Sequence, residues 1–288
     1  MLARGVRRLR ASAAGAGTGA TPELDAELLL AHALGTSRAR LRSHSETLIG
    51  NAQSRRYLDF IERRATGEPL AYVTGYRDFW SLRLTVTPAV LVPRPETELL
   101  VERALALHGE EFGRIADLGT GSGAIALSLA QERPGWQVTA TDVSQDALEV
   151  ARANATALGL QRVQFLHGSW LEPLTDRTFD LIISNPPYVA ADDPALQDPA
   201  LRHEPRAALT PGADGLSSLR ALIRSAARNL ERDGWLLLEH GSDQARDVAG
   251  ELVAHGFRHV RSHRDLAGHE RMTEAQRARP IPPPAPET

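Results

Sequence analysis

From Ile115 onward, short apolar runs alternate with longer stretches of helical periodicity, and this order constrains the fold more than any other feature of the chain. Strand–helix alternation is typical of a parallel sheet whose two faces are covered by helices. The sequence predicts strands near residues 115–118, 138–141, 163–166, 181–184, 235–239, 257–261 and 271–275. It predicts helices near residues 124–132, 146–158, 219–229 and 244–254. We therefore expect a doubly wound α/β domain with a seven-stranded sheet.

Only helical patterning precedes residue 80. Apolar residues recur at helical spacing in the first ten residues, which predicts an amphipathic helix with arginines on its solvent-exposed face. The four arginines before the first acid, Glu23, also resemble a transit peptide, but the helical spacing favours the amphipathic helix. Pro22 and Gly35 are typical of the two ends of a second helix, and a third is predicted at 51–65. These helices predict a small all-α bundle.

The apolar period changes to two at Leu82, where apolar and polar residues alternate up to residue 87. After a turn at Pro88, Val90–Val92 is predicted to form the second strand of a β-hairpin. A helix is predicted to follow residues 93–98. We expect a helical domain at 1–78, a hairpin linker at 79–95, the α/β domain at 96–276 and a disordered Pro-rich tail at 277–288.

The composition narrows the possible functions only slightly. The chain has 288 residues, 42% of them apolar, and a net charge of −3, so no general field attracts nucleic acid or an anionic membrane. Cysteine is absent, which excludes disulfides, thiolate metal sites and cysteine nucleophiles, and suits a reducing compartment such as the cytoplasm. No apolar run approaches the ~20 residues of a membrane span.

A glycine-rich segment, D-L-G-T-G-S-G-A at 117–124, joins the first predicted strand to its helix. Glycines let the backbone turn sharply and approach a ligand, and the helix N-terminus adds free N–H groups. Asp142 ends the second strand, nineteen residues after the last glycine, where a carboxylate can accept both ribose hydroxyls. The segment predicts an adenosine-type cofactor, with NAD as one possibility. The candidate cofactor residues are Asp117, Gly119, Thr120, Gly121, Ser122, Gly123 and Asp142.

The segment N-P-P-Y at 185–188 follows the fourth strand, next to the expected cofactor loop. The Asn185 side-chain oxygen and the Pro186 carbonyl can accept the two hydrogens of a planar NH₂ group. Tyr188 offers a flat face for stacking, and Pro186 and Pro187 fix the backbone. A conjugated nitrogen held in this way needs a strongly activated electrophile, which a methyl sulfonium provides and a nicotinamide does not. The pattern therefore predicts S-adenosylmethionine rather than NAD, and leaves open adenine or glutamine as the methylated group.

Most of the chain resembles the bacterial release-factor glutamine methyltransferases, a family of class I, Rossmann-like S-adenosylmethionine-dependent enzymes. The resemblance runs from about Asp25 to Thr273. Motifs such as V-L-V-P-R-P-E-T-E and R-R-A-T-G-E-P-L-A-Y-V-T-G carry it, beyond the general glycine-loop and N-P-P-Y motifs. It is carried as well by D-A-E-L-L-L-A-H-A-L-G, H-E-P-R-A-A-L and D-L-A-G-H-E-R.

This resemblance implies methyl transfer to the side-chain N5 of the glutamine in the Gly-Gly-Gln tip of class I release factors. It implies Asn185, Pro186, Pro187 and Tyr188 as glutamine contacts, and Asn185 and Trp170 among the cofactor contacts. The helical domain would dock the release factor. We expect a monomer that needs no metal, DNA or membrane. The alternatives are an adenine-N6 DNA methyltransferase, which would need a basic groove, and a non-catalytic scaffold that binds S-adenosylmethionine or the release factor.

Other charged residues have more than one interpretation. Arg94, Glu96 and Glu98 either lie beside the ligands or cap a helix. His203, Glu204 and Arg206 lie in an unusually long connection at 186–215, where ion pairs that order the loop are expected. His255, His259 and His263 repeat at four-residue spacing, but Gly256 separates the first two onto different elements, so no metal site is expected.

Overall fold

The computed structural model describes residues 1–12, 21–43, 48–109 and 111–278. Residues 279–288, most of the predicted disordered tail, lie outside this part. Within these residues, the helices that precede the first strand are α1 (Leu2–Arg10), α2 (Pro22–Leu34), α3 (Arg38–Ser43), α4 (Asn51–Ala65) and α5 (Leu70–Thr74). In the described part of the chain, no helix has the length and apolar character needed to cross a membrane.

The N-terminal helices form a bundle with its own apolar core, as predicted. Leu9 of α1, Leu29 of α2 and Ile61 of α4 are almost fully buried against one another. Burial of side chains of this size stabilises the folded state by about 1.5–3 kcal/mol each. The amphipathic interpretation of the first ten residues is therefore confirmed, with the arginines of α1 on its exposed face.

A two-stranded hairpin follows the bundle, but its pairing differs from the prediction. It consists of β1 (Tyr76–Phe79) and β2 (Leu82–Thr85), which pair antiparallel. The prediction that Val90–Val92 forms the second strand is wrong. Val90 and Val92 are buried in a small cluster with Tyr72, and the Val92 N–H donates to the Glu204 carboxylate instead of a neighbouring strand. Their apolar pattern serves packing between the helical bundle and the α/β domain.

The α/β domain begins with α6 (Glu98–Leu107) and contains a single seven-stranded sheet, as predicted. Its strands are β3 (Gly113–Leu118), β4 (Trp136–Asp142), β5 (Gln164–His167), β6 (Phe179–Ser184), β7 (Leu230–Glu239), β8 (Phe257–Arg264) and β9 (Glu270–Arg277). Its other helices are α7 (Ala124–Glu132), α8 (Gln145–Ala157), α9 (Ser217–Asn229) and α10 (Ala245–Ala254). Two apolar clusters fill the two faces of the sheet.

The sheet is mixed rather than wholly parallel. Its strand order is β5-β4-β3-β6-β7-β9-β8, and β9 pairs antiparallel with both β7 and β8. The turn between β8 and β9 spans only residues 265–269, which is too short for a parallel crossover. After β3 the chain builds one side of the sheet and then returns to the other side with β6. Ligands bind at such a switch point, outside the carboxyl ends of the strands.

Candidate active site

The carboxyl ends of β3, β4 and β6 border a cavity of about 290 Å³. Gly121, Asp142 and Asn185 all line it, one from the end of each strand. Its other walls come from residues 89–91 and from the long loop at residues 205–208. A larger and more open surface groove of about 600 Å³ is lined by β7–β9 residues and contains none of the predicted ligand residues. The sheet topology therefore brings the two sequence motifs together at one cavity.

The absence of side chains in the glycine loop matters in two ways, for the backbone conformation and for the space beside it. Gly121 has φ +56°, a conformation that favours glycine, and a Cβ there would point into open space beside the cavity. Gly119 has φ +74°, and a Cβ there would lie 3.1 Å from the indole ring of Trp170. The absent side chain at residue 119 thus makes room for Trp170 as well as for a ligand. Gly123 immediately precedes α7, whose N-terminus faces the same loop.

Asp142 ties the ends of β3 and β4 together. One carboxylate oxygen accepts the Gly121 N–H at 2.9 Å, and the other accepts the Ser144 N–H at 2.9 Å. Each carboxylate oxygen has further lone pairs for a hydroxyl donor. Trp170 lies nearby because its carbonyl oxygen accepts the Thr141 hydroxyl hydrogen at 2.9 Å. Asp142 and Trp170 therefore line the same cavity.

Asp117 lies beneath the glycine loop in a fully buried position. One of its oxygens accepts the Thr120 hydroxyl at 2.6 Å and the Ala126 N–H at 3.2 Å, whereas Oδ1 is buried without a hydrogen-bond partner. Burial raises the pKa of Asp117 to about 7, although both hydrogen bonds oppose the shift. Ser122 is also buried, and its carbonyl oxygen accepts from Asn154. These predicted cofactor residues support the loop from below.

The titration of Asp117 predicts a pH dependence of stability. An unfolded aspartate has a pKa near 4, so between about pH 4 and pH 7 the folded protein binds more protons than the unfolded chain. The contribution of Asp117 to stability is then most favourable below this window and becomes less favourable as the pH rises through it. We expect Asp117→Asn to flatten the slope of the unfolding free energy by up to about 1 kcal/mol per pH unit. Urea unfolding at several pH values measures it, and an unchanged slope would contradict the assignment.

Asn185 follows β6 and is held by residues outside the N-P-P-Y segment. Its side-chain NH₂ donates to the Thr97 hydroxyl oxygen at 3.0 Å. Thr97 in turn donates its hydroxyl hydrogen to Glu239 at 2.7 Å. Because the NH₂ end of the amide is engaged by Thr97, the amide oxygen is the end available to the cavity. The site thus presents an acceptor at the position where the sequence predicted one.

Glu239 also fixes Tyr188. The Tyr188 hydroxyl donates to the second carboxylate oxygen of Glu239 at 3.1 Å, and the Tyr188 carbonyl oxygen accepts from Gln244 at 3.0 Å. Burial raises the pKa of Glu239 to about 7, while its two hydrogen bonds and Arg271 act in the opposite direction. Burial also raises the pKa of the Tyr188 hydroxyl, so this hydroxyl stays protonated and donates. Both ends of the Tyr188 residue are therefore restrained.

The long loop closes one side of the cavity. Glu204, which is buried, pairs with Arg94 at 2.6 Å and accepts the Val92 N–H at 3.0 Å. These bonds join the loop to the segment before α6, and both segments line the cavity. The expectation that ion pairing orders this loop is confirmed for Glu204. The Glu98 carboxylate accepts the N–H of Trp80 in the hairpin turn and so ties the start of α6 to the hairpin rather than capping the helix.

The histidine repeat does not form one face of a helix. His255 follows α10, whereas His259 and His263 lie on β8, as the sequence predicted. Among the described residues, no group of three or more acidic or histidine side chains is placed to hold a metal ion.

Sequence reasoning missed two residues of the site, Thr97 and Glu239. Thr97 belongs to the segment V-L-V-P-R-P-E-T-E, and Glu239 ends the strand predicted at 235–239. Neither residue type is unusual at its position, and 142 residues separate them in the chain. Their strongest sequence signal was an acid at the carboxyl end of a strand otherwise made of apolar residues, W-L-L-L-E.

Comparison with known families matches both parts of the chain. Residues 95–262 match the family described as the methyltransferase small domain, and residues 1–75 match the family described as the PrmC N-terminal domain. Among solved structures, a methyltransferase from Pyrococcus furiosus superposes with a TM-score of 0.53 at 20% identity, over 69% of this chain and 90% of that one. That similarity supports the fold of the α/β domain.

Curated relatives extend over nearly the full chain. The release factor glutamine methyltransferase of Coxiella burnetii is 49% identical over 89% of this chain and 92% of its own length. That of Pseudomonas aeruginosa is 48% identical over 88% of this chain and 92% of its own length. Identity of this extent, together with the glycine loop and N-P-P-Y at one cavity, shows that the chain belongs to the release factor glutamine methyltransferase family.

Proposed function

We propose that this protein transfers a methyl group from S-adenosylmethionine to the side-chain amide nitrogen, N5, of a glutamine in a class I release factor. The observation that carries the proposal is the orientation of Asn185. Its NH₂ is engaged by Thr97 at 3.0 Å, so its oxygen is left as an acceptor at the cavity. An acceptor there suits a substrate NH₂ group, which is a donor.

The cavity residues fit the proposed cofactor. Asp142 has lone pairs left for ribose hydroxyls, Trp170 provides an aromatic wall for the adenine, and the N-terminus of α7 faces the glycine loop. We assign Gly119 to Gly123 to the backbone around the cofactor and Asp117 to the support of that backbone. The bound cofactor supplies an electrophilic methyl group on a sulfonium.

The substrate amide is oriented by acceptors and by a ring. We assign the Asn185 oxygen and the Pro186 carbonyl to the two hydrogens of the glutamine NH₂, and the Tyr188 ring to its planar face. Two acceptors hold the nitrogen with its lone pair directed to one side. Part of the entropic cost of orienting the reacting atoms is then met when the substrate binds, which lowers the barrier to methyl transfer. Pro186 and Pro187 limit backbone motion there. The methylated nitrogen then loses a proton easily, so a strong general base is not required.

The partner is proposed to be the release factor itself, through its Gly-Gly-Gln loop. The helical domain, at 1–78 in the predicted division, would contact the body of the release factor while the loop enters the cavity. Its separate core and the exposed arginines of α1 are consistent with a docking surface of its own. Tyr72 hydrogen-bonds the Val90 carbonyl at 2.5 Å and so connects this domain to the cavity wall. A monomer acting in the cytoplasm, without metal, suffices for this reaction.

A methyl-labelling experiment tests the function. The protein is incubated with labelled S-adenosylmethionine and, in separate reactions, with a whole release factor, a short peptide of its Gly-Gly-Gln loop, or duplex DNA. We expect label in the release factor, less efficient labelling of the peptide, which cannot reach the helical domain, and no label in DNA. Label in DNA and not in protein would overturn the proposal. Equal efficiency with the peptide would contradict docking by the helical domain.

A further inference from the structure

A buried hydrogen-bonded chain lies behind the cavity and ends on Asn185. It runs from Glu239 at the end of β7, through Thr97 in the turn before α6, to Asn185 after β6. Thr97 is 4% exposed and Glu239 is 1% exposed, so water does not compete for these bonds. Glu239 is not among the residues that line the cavity, and both of its carboxylate oxygens are engaged, one by Thr97 and one by Tyr188.

The direction of each hydrogen bond follows from counting protons. A threonine hydroxyl has one hydrogen and two lone pairs. In its ionised form, above a pKa that burial raises to about 7, the Glu239 carboxylate has only acceptors, so Thr97 donates its single hydrogen there. Thr97 can then act only as an acceptor toward Asn185. The Asn185 amide must therefore present its NH₂ to Thr97 and its oxygen to the other side.

The opposite orientation of the Asn185 side-chain amide would not bind the substrate NH₂ group. Without the carboxylate, the Thr97 hydrogen would be free to point at the Asn185 oxygen, and the amide would turn its NH₂ into the cavity. Two NH₂ groups, one from Asn185 and one from the substrate glutamine, would then face each other as donors. The two orientations of an asparagine amide have nearly the same shape, so packing alone selects between them only weakly.

We propose that Thr97 and Glu239 are positioning residues that select the orientation of the Asn185 amide in which its oxygen faces the substrate nitrogen. This role rests on the proposed function, since it assumes that the substrate group is a donor. The fixed orientation of the Asn185 amide also makes the site specific for a hydrogen-bond donor. A glutamate side chain, whose ionised carboxylate has no hydrogen to donate, is rejected by the same fixed acceptor.

A matched pair of variants at Thr97 tests this role. Thr97→Val has the same shape but no hydroxyl, and Thr97→Ser keeps the hydroxyl. With a whole release factor as substrate, we expect Thr97→Val to lower kcat about tenfold or more, because the Asn185 NH₂ loses its acceptor. The KM for the release factor and the Kd for S-adenosylmethionine should change less than about twofold. Thr97→Ser should stay within about twofold of the wild type in all three.

A second variant tests the carboxylate without relying on Thr97. Glu239→Leu replaces a buried carboxylate by an apolar side chain of similar size and leaves the Thr97 and Tyr188 hydroxyls without this acceptor, so its unfolding free energy is measured alongside its activity. It frees the Thr97 hydrogen, so we expect kcat to fall about tenfold or more. In an Asn185→Ala background, Thr97→Val should not lower kcat further, since Thr97 acts through Asn185. Glu239→Leu should keep only the part of its effect that acts through Tyr188.

A spectroscopic measurement on the free protein is independent of turnover. The side-chain NH₂ resonance of Asn185, identified by its loss in Asn185→Ala, should shift in Thr97→Val and in Glu239→Leu and remain in place in Thr97→Ser. An unshifted resonance with unchanged kcat in Thr97→Val, or equal losses in Thr97→Val and Thr97→Ser, would overturn the positioning role. If the wild-type protein itself does not methylate the release factor, the proposed function fails instead.

Discussion

Replacing Asn185 with alanine is expected to lower kcat for methyl transfer by ~10²-fold or more. The side chain lies at the cavity with its NH₂ bonded to Thr97 at 3.0 Å, so alanine removes the acceptor that orients the substrate nitrogen. The Kd for S-adenosylmethionine should change by less than about threefold, because Asp142 and the glycine loop remain. Single-turnover kinetics and calorimetric titration of the cofactor measure the two quantities.

The matched control for this variant is Asn51→Ala, which removes the same side chain from an exposed position at the start of α4. It should leave both kcat and cofactor affinity unchanged. Wild-type turnover in Asn185→Ala would refute the two-acceptor arrangement. A parallel loss of cofactor affinity would show that Asn185 mainly binds the cofactor.

Asp142→Ala is expected to raise the Kd for S-adenosylmethionine by ~10²-fold. Hydrogen bonds to a charged group contribute about 1.5–3 kcal/mol each, and the ribose offers two hydroxyls. The carboxylate also accepts the N–H groups of Gly121 and Ser144, at 2.9 Å each, so its removal loosens the glycine loop. At saturating cofactor, kcat should fall much less than the affinity.

Asp142→Asn serves as the partial variant, because its amide keeps one acceptor oxygen and similar volume. Its Kd should lie between those of the wild type and Asp142→Ala, about tenfold above the wild type. Calorimetric titration separates the three proteins. A Kd for Asp142→Ala within about twofold of the wild type would show that this carboxylate does not bind the cofactor.

The elements with strong local signals were predictable from the sequence. The predicted helices at 51–65 and 124–132 coincide with α4 and α7. Amphipathic periodicity between Gly50 and Gly67 marks α4, whereas a nearly continuous apolar run after Gly123 marks α7, which is buried on all sides over residues 124–130. The hairpin partner was not predictable in the same way. Val90–Val92 has the apolar pattern of a strand, yet its side chains pack against Tyr72 and its N–H groups have other partners. Apolar residues in a short run indicate burial and do not indicate which neighbour covers them.

The cavity was predictable for a topological reason, and its supporting residues were not. Gly121 and Asn185 follow strands and Asp142 ends one, and the carboxyl ends of adjacent parallel strands meet at one edge of a sheet. Thr97 and Glu239 are distant from Asn185 in the chain. No local sequence pattern indicates the hydrogen bonds that join Asn185 to Thr97 and Thr97 to Glu239. The role of Gly119 was likewise only partly predictable from the sequence, because the absence of a Cβ there also makes room for the Trp170 ring.

The position of the transferred methyl group tests the central claim most directly. After reaction with unlabelled S-adenosylmethionine, the release factor is digested and its Gly-Gly-Gln peptide is fragmented in a mass spectrometer. We expect the mass increment of one methyl group on the glutamine side-chain amide, present with the wild-type protein and nearly absent with Asn185→Ala. A methyl group on another residue, or an equal yield from Asn185→Ala, would contradict the account.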